Sequence, residues 1–394
     1  MFNIYMNRFT FIAILLFTLA ALCAPCDCRA ASGAAMYPAE AFADSATTTL
    51  INRFWNNSGG YFNERSDSVD GCGGNYWPQA HAMDVIIDAY ERTGADTLKS
   101  MFAKWLDGVI LQNDGGHTGG YTNDYYDDEA WIALTMVRLY NATGNKRFLT
   151  VAKNLFSDIA SGWNDTFADG GVAWRKSQPW SKNACINGPA SLLAFKLYRA
   201  TGNEDYARFG LKTYEWLRTH LLDPATGEVQ DNINGQTGHV EPWHFTYNQG
   251  TVAGAALEAY RYAHRTEYLS DACRAADYGL TAPAFVNPAI GAVTLENGSI
   301  PANGDGALFR AVFFRYLAAL ATAPELAPEW RSRFCDSISS NASYLWANAH
   351  LRGSDALFGT DWSCPLAPGE STGLNAQVSA CTLLEMNARL NTGQ

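Results

Sequence analysis

Cations are scarce in this sequence: 28 Lys and Arg stand against 39 Asp and Glu, a formal net charge of -11. A phosphate-backbone partner needs a basic footprint, so nucleic-acid binding is excluded as a working expectation. Long apolar runs are also missing beyond the first 30 residues, so no stable membrane span is expected. Cysteines are few and dispersed. Six follow the leader (Cys72, Cys185, Cys273, Cys335, Cys364 and Cys381), and no two of them form a CxxC pair. A zinc site is therefore not expected, while disulfides and buried thiols both remain open. The seven His are scattered, and Pro242 interrupts Glu241-Pro242-Trp243-His244, so neither a metal nor another cofactor is expected. Alternating strand patterns are rare as well.

What the chain does have is aromatic content. Phe, Trp and Tyr make up 13% of it, with 12 Trp and 19 Tyr. Such rings form large cores, and they also stack on flat ligands while offering a polar tip. The N-terminus reads as a targeting segment: Arg8, an apolar run over residues 9–22, then Cys28-Arg29-Ala30 as a loose cleavage site. Residues 1–30 are assigned to this signal peptide and 31–394 to a single domain. Export to the periplasm, cell surface or medium is expected. Lipidation at Cys23 is disfavoured, because Leu22 is not a small residue.

A phrase recurs: Tyr90-Glu91-Arg92-Thr93-Gly94, Tyr140-Asn141-Ala142-Thr143-Gly144-Asn145 and Tyr198-Arg199-Ala200-Thr201-Gly202-Asn203, with a degenerate copy from Tyr262 to Leu269. Glycine just past an apolar-periodic run is a helix stop signal. A repeat of roughly 50 to 65 residues suggests a two-helix unit. Periodicity then predicts about twelve helices, near 39–57, 77–92, 96–111, 124–142, 146–161, 183–200, 204–219, 248–265, 267–280, 305–322, 328–348 and 372–391. Connections before the even helices are long and those after them are tight. Long loops in a compact domain are usually functional. Six such hairpins closing into a ring give an all-α (α/α)6 barrel, with a cleft on the long-loop face. An open helical solenoid is the alternative.

One predicted loop-to-helix junction stands out, Gly119-Gly120-Tyr121-Thr122-Asn123-Asp124-Tyr125-Tyr126-Asp127-Asp128-Glu129-Ala130-Trp131. Acidic residues suit the positive end of a helix, and Asp124 could serve as an N-cap. Adjacent carboxyls among aromatics also suit glycosidic-bond cleavage. Retention of configuration needs two carboxyls about 5 to 5.5 Å apart. Neighbouring first-turn residues meet that spacing. Other polar and aromatic candidates gather at the same predicted face: Trp77, Tyr126, Trp174, Asn183, Asp231, Tyr247, Asn248, Gln249 and Asp305.

With these motifs in register, Asp127-Asp128 with Trp131, Gly170-Gly171 with Trp174, Lys182-Asn183, Tyr247-Asn248-Gln249-Gly250 and Gly304-Asp305-Gly306, nearly the whole mature chain resembles glycoside hydrolase family 76, the endo-α-1,6-mannanases. The resemblance implies an (α/α)6 barrel that cleaves α-1,6-mannan or manno-oligosaccharides with retention; a monomer is expected. It implies Asp127 as nucleophile, Asp128 as acid/base and Asp231 as a contact in the −1 subsite. Ala173 and Asn232 depart from the pattern, where many relatives have Trp and Gly. Alternatives of the same fold are a transglycosylase on α-mannan and a non-catalytic mannan-binding protein. An enzyme for acidic sugars would want more loop cations than Arg175, Lys176 and Lys182.

Overall fold

The recurrent Thr-Gly-Asn phrase explains how the helices are punctuated in the computed structural model, which describes residues 39–68, 74, 76–113, 120–351, 353 and 355–392. Twelve α-helices are present among them: α1 (Ala39–Phe54), α2 (Tyr76–Thr93), α3 (Asp96–Gly108), α4 (Tyr126–Thr143), α5 (Lys146–Ser161), α6 (Ala184–Thr201), α7 (Glu204–His220), α8 (Thr246–Ala263), α9 (Thr266–Thr281), α10 (Gly306–Ala321), α11 (Pro328–Ala349) and α12 (Leu374–Thr392). At the end of α4, Thr143 Oγ1 donates back to the Leu139 carbonyl at 2.6 Å and accepts from Asn145 N–H at 3.2 Å. Gly144 between them takes the left-handed conformation, φ 70°, which glycine enters without a steric penalty. Asn145 Oδ1 then caps α5 by accepting from Arg147 N–H at 3.0 Å. The same three hydrogen bonds and the left-handed glycine recur at Thr201, Gly202 and Asn203 between α6 and α7. In the degenerate copy after α8, His264 itself holds the left-handed position, φ 56°.

These tight turns make each hairpin antiparallel, so the even helices all run the same way. Each even helix packs on the next, from α2 through α4, α6, α8 and α10 to α12, and α12 returns to α2. The ring is closed, which rules out the open solenoid. Odd helices lie outside it. The sequence distinguishes the two layers. Outer α5 buries a single stripe, Phe148, Ala152, Leu155, Phe156 and Ile159. Inner α8 buries every residue from Asn248 to Ala259. Small residues let the inner helices approach: a Cβ built on Gly250 would lie 2.6 Å from Phe313 Cα in α10. Gly250→Ala is therefore expected to cost about 1–3 kcal/mol by overpacking, seen as a lowered urea midpoint with an unchanged denaturant slope.

All six long connections emerge at the N-terminal end of the inner ring. Their described residues carry short strand pairs, within one connection or between two. β1 (Trp55–Asn56) pairs with β2 (Tyr61–Phe62) in the first connection. β3 (Ser181–Asn183), from the third, pairs antiparallel with β4 (Asn232–Asn234) of the fourth, which pairs with β5 (His239–Glu241). β6 (Val286–Asn287) and β7 (Ala292–Val293) form a pair in the fifth. Helix starts are held by neighbouring loops. Tyr126 N–H donates to the Trp174 carbonyl at 2.9 Å, Ala184 N–H to the Asp231 carbonyl at 2.8 Å, and Leu374 N–H to the Glu64 carbonyl at 2.8 Å.

Cys185, Cys273, Cys335, Cys364 and Cys381 are all free thiols. Cys72 and the leader lie outside the described residues. No described helix is long and apolar enough to cross a membrane.

Candidate active site

The inner helices share one registration. Their second residues are Trp77, Asp127, Cys185, Tyr247, Ala307 and Asn375. A short network built on these positions lies at the long-loop end of the ring, where the sequence predicts the cleft.

α4 begins two residues later than the sequence predicts. Its N-cap is Tyr125, and Asp124 takes no capping role. Asp124 instead accepts from Arg175 Nε at 3.0 Å, while the Arg175 guanidinium covers the Tyr125 ring at 4.5 Å. Asn123 Oδ1 accepts from Tyr125 N–H at 2.8 Å, and Glu129 Oε1 reaches back to Asn123 N–H at 2.7 Å. The Glu129 carboxyl is fully buried, and burial pushes it up to about 8 despite Lys176 Nζ at 2.8 Å. These two side-chain-to-backbone contacts, with the Tyr126 N–H on the Trp174 carbonyl, hold the first turn of α4 in place.

Asp127 and Asp128 occupy the second and third positions of that turn, both half-buried. Asp127 Oδ2 accepts from Trp174 Nε1 at 3.2 Å and from Cys185 Sγ at 3.4 Å. Its other oxygen, Oδ1, is buried with no hydrogen-bond partner among the described residues. Burial pushes the Asp127 carboxyl up to about 7, and the thiol and indole donors pull against that rise. The Tyr247 hydroxyl hydrogen-bonds Cys185, so a chain of donors runs from Tyr247 through Cys185 to Asp127.

Asp231 stands on the far side of Cys185 and Tyr247, close enough for its charge to act on both. Its Oδ1 accepts from Asn248 Nδ2 at 3.1 Å and its Oδ2 from Asn232 Nδ2 at 2.9 Å. Burial raises this carboxyl too. Asn248 keeps a buried, unpartnered Oδ1. Beyond Tyr247 the wall is aromatic. Tyr247 stacks on Phe309 with centroids 3.9 Å apart, and Phe309 lies 6.1 Å from Trp77. Trp77 Nε1 donates to Asp305 Oδ1 at 2.9 Å. Asp305, Ala307 and Asn375 line a further hollow of about 330 Å³ with Arg65. On the other side, Tyr125 meets Trp174 edge to face at 5.1 Å.

Of the residues picked out by sequence, Trp77, Asp127, Trp174, Asp231, Tyr247, Asn248 and Asp305 are therefore connected, with Asp128 beside them. Three others have different tasks. Tyr126 is buried: its ring packs against Gly162, and Lys176 Nζ lies 5.2 Å from its centre. The two-residue shift of the helix start gives the wall position to Tyr125 instead. Gln249 is fully buried; with its amide turned to satisfy both ends, it donates to the Gly227 and Ala275 carbonyls and accepts from Val229 N–H. It tethers the fourth connection to α9. Asn183 is buried as the residue preceding α6, accepting from Ser181 Oγ at 2.8 Å. Lys182, part of the same motif, donates to the Gly171 carbonyl at 2.7 Å.

Cys185, Phe309 and Tyr125 escaped the sequence reading. The signal for Cys185 was the shared registration, since it holds in α6 the place that Asp127 holds in α4. Deeper still, His81 lies 5.3 Å from Trp77 and 5.0 Å from Trp131. Both its ring nitrogens lack partners, and burial pushes it down to about 3, so it is neutral.

The comparisons with known proteins agree with this geometry. The family model described as glycosyl hydrolase family 76 matches residues 39–392. The α-1,6-mannanase of Salegentibacter sp. HEL1_6 superposes with a TM-score of 0.81 at 31% identity, covering 89% of this chain and 99% of that one. An inactive variant of that enzyme, altered at two consecutive aspartates, is known in complex with α-1,6-mannotetrose; it too has a TM-score of 0.81. Among curated proteins, the mannan endo-1,6-alpha-mannosidase of Candida glabrata is 26% identical over 289 residues, 68% of this chain and 62% of its own length. That of Candida albicans is 24% identical over 340 residues, 79% of this chain and 72% of its own length. With a family match running from the first described helix to the last, this chain belongs to glycosyl hydrolase family 76.

Proposed function

We propose that this protein hydrolyses the α-1,6-linked backbone of mannan with retention of configuration, with Asp127 as nucleophile and Asp128 as acid/base. The observation that carries the reading is the asymmetric setting of Asp127. One oxygen is held by Trp174 and Cys185, while the other is buried without a partner. Oδ1 attacks the anomeric carbon as Asp128 gives its proton to the departing glycosidic oxygen, leaving a glycosyl ester on Asp127. A water molecule then loses a proton to Asp128, attacks the same carbon and frees Asp127. Two carboxyls on one helix turn do not both ionise readily. The reaction needs the anion on Asp127 and the proton on Asp128, and the Trp174 and Cys185 donors pull Asp127 that way against the burial that raises it. In this reading Asp231 meets a hydroxyl of the reacting sugar, the buried Asn248 orients the Asp231 carboxylate, and Trp174, Tyr247 and Trp77 supply stacking faces along the cleft. The relatives that act on α-1,6-mannan support this substrate class. Export guided by residues 1–30 suits a polymeric substrate outside the cell.

Incubation with unbranched α-1,6-mannan, followed by product sizing and proton NMR, tests the reading. Short manno-oligosaccharides formed first as α-anomers are expected; β-anomers would refute retention. Adding a mannose-chain acceptor separates hydrolysis from transfer, because transfer lengthens chains.

The thiol offers a finer test. Ionised Asp127 is the reactive form, so activity should fall as pH drops below about 7. Cys185→Ala removes a donor that favours the anion. The acid limb of kcat/KM is expected to move up by about half to one pH unit. An unmoved limb would show that the thiol does not tune Asp127.

A further inference from the structure

Three helical turns below the cleft, the inner ring closes around a second cavity. The residues eleven positions beyond Trp77, Asp127 and Cys185 are Asp88, Arg138 and Lys196; eleven residues make about three turns and 16 Å. They therefore share a helix face with the cleft residues, at the opposite end. They line a half-enclosed cavity of about 380 Å³ to which all six inner helices contribute, with Arg261, Arg315, Tyr316, Met386 and Arg389 completing much of the wall.

The ionic pairing around this cavity is incomplete. Asp88 takes Arg138 at 2.6 Å, Arg315 at 2.7 Å and Arg389 at 3.2 Å. Asp84 takes Arg138 at 3.0 Å, and Glu91 takes Arg389 at 3.0 Å. Arg261 is held by Glu258 and Glu325, outside the group. Among the described residues that line it, three carboxylates, Asp84, Asp88 and Glu91, thus face four cations, Arg138, Arg315, Arg389 and Lys196. Lys196 is the surplus: among the described residues no carboxylate reaches it at ion-pair or hydrogen-bond distance, Glu258 and Asp84 act on it only at longer range while held by arginines, and burial lowers its ammonium from the ordinary range. Arg315 Nη2 is buried without a partner, and the Tyr316 hydroxyl has none among the described residues either. A partly buried cation with no counter-ion in direct contact is costly, and an anion that completes it is bound in proportion.

We propose that this cavity is a binding site for a small oxyanion of the phosphate, sulfate or carboxylate class, held by Lys196, Arg315 and Tyr316. The anion joins α6 to α10 and completes the ionic cluster that links them to α2, α4 and α12. Its effect is on the stability of the ring, not on the chemistry three turns away.

Thermal unfolding of the full chain at pH 7, in chloride at constant ionic strength, tests this. Inorganic phosphate, sulfate and acetate are titrated in separate arms. A ligand at about a hundred times its Kd shifts Tm by about 3–5 °C in a chain of this size. A saturable rise of that order is expected in at least one arm. A response confined to phosphate and sulfate, or to acetate, selects the shape within the class. Lys196→Met is expected to abolish the rise and Tyr316→Phe to reduce it, both leaving mannan cleavage unchanged. An equal, unsaturable shift with added chloride, or a full response retained in Lys196→Met, overturns the site.

Discussion

Asp127→Asn and Asp128→Asn are each expected to lower turnover of α-1,6-mannan by about a thousandfold or more, while circular dichroism stays that of the wild type. The two losses should differ in kind. Removing the nucleophile abolishes the first step for every substrate. Removing the acid matters only while the leaving group needs a proton. An aryl mannoside with an acidic phenol should therefore react with Asp128→Asn at close to the wild-type first-step rate, releasing a burst of phenol. The same substrate should give no burst with Asp127→Asn. The reverse pattern would exchange the two roles, and near-normal activity in either variant would end the assignment.

Asp127→Asn carries a second expectation, on stability. Burial raises the Asp127 carboxyl to about 7 in the folded chain, above its unfolded value near 4. A raised carboxyl contributes fully below the unfolded value, and the contribution is lost as pH rises through about 7. At pH 8 the wild type therefore holds a strained anion that the amide does not. The variant is expected to be more stable there by about 1–3 kcal/mol, with the gap closing towards pH 4. Urea unfolding at both pH values reads this directly.

The largest effect on the fold is expected from Asp88→Ala. Asp88 is fully buried at the end of the ring opposite the cleft, and it gathers guanidiniums from α4, α10 and α12 onto α2. Removing it leaves three arginines without their shared carboxylate. The expected loss is about 3–5 kcal/mol at pH 7, from a lowered urea midpoint. Burial alone would raise the Asp88 carboxyl, but Arg138, Arg315 and Arg389 together hold it at about 2. A depressed carboxyl stabilises above its unfolded value, and that stability is lost as pH falls through about 2. The gap between wild type and Asp88→Asn should thus narrow between pH 4 and pH 2. A gap independent of pH would mean that Asp88 acts by packing rather than by charge.

The helices were legible because their punctuation is local. Thr143, Gly144 and Asn145 bond within one turn of each other, so the phrase they form carries its own instructions. Ring closure was legible from the alternation of long and tight connections. What local pattern could not show is which polar residues face a ligand and which satisfy backbone. Gln249 sits in the same motif as Tyr247, yet it spends its side chain on the backbone of the fourth connection and α9, as Lys182 does on a loop carbonyl. Tyr126 was misplaced because a helix start two residues off rotates the neighbouring ring out of the cleft. The cluster around Asp88 was invisible for another reason: its partners lie 50, 227 and 301 residues away in the chain.

The seam of the ring bears on how the protein is made. α12 is the last inner helix in chain order, yet it packs between α10 and α2 and also against α1. Glu385 of α12 accepts from Thr47 Oγ1 of α1 at 2.7 Å and from Arg92 of α2 at 2.9 Å. A nascent chain carrying five of the six inner helices therefore exposes two greasy flanks that nothing local can cover. Folding to completion must wait for the final segment. A ribosome release site before Leu374 would yield an aggregation-prone intermediate in need of a chaperone, not a smaller working enzyme.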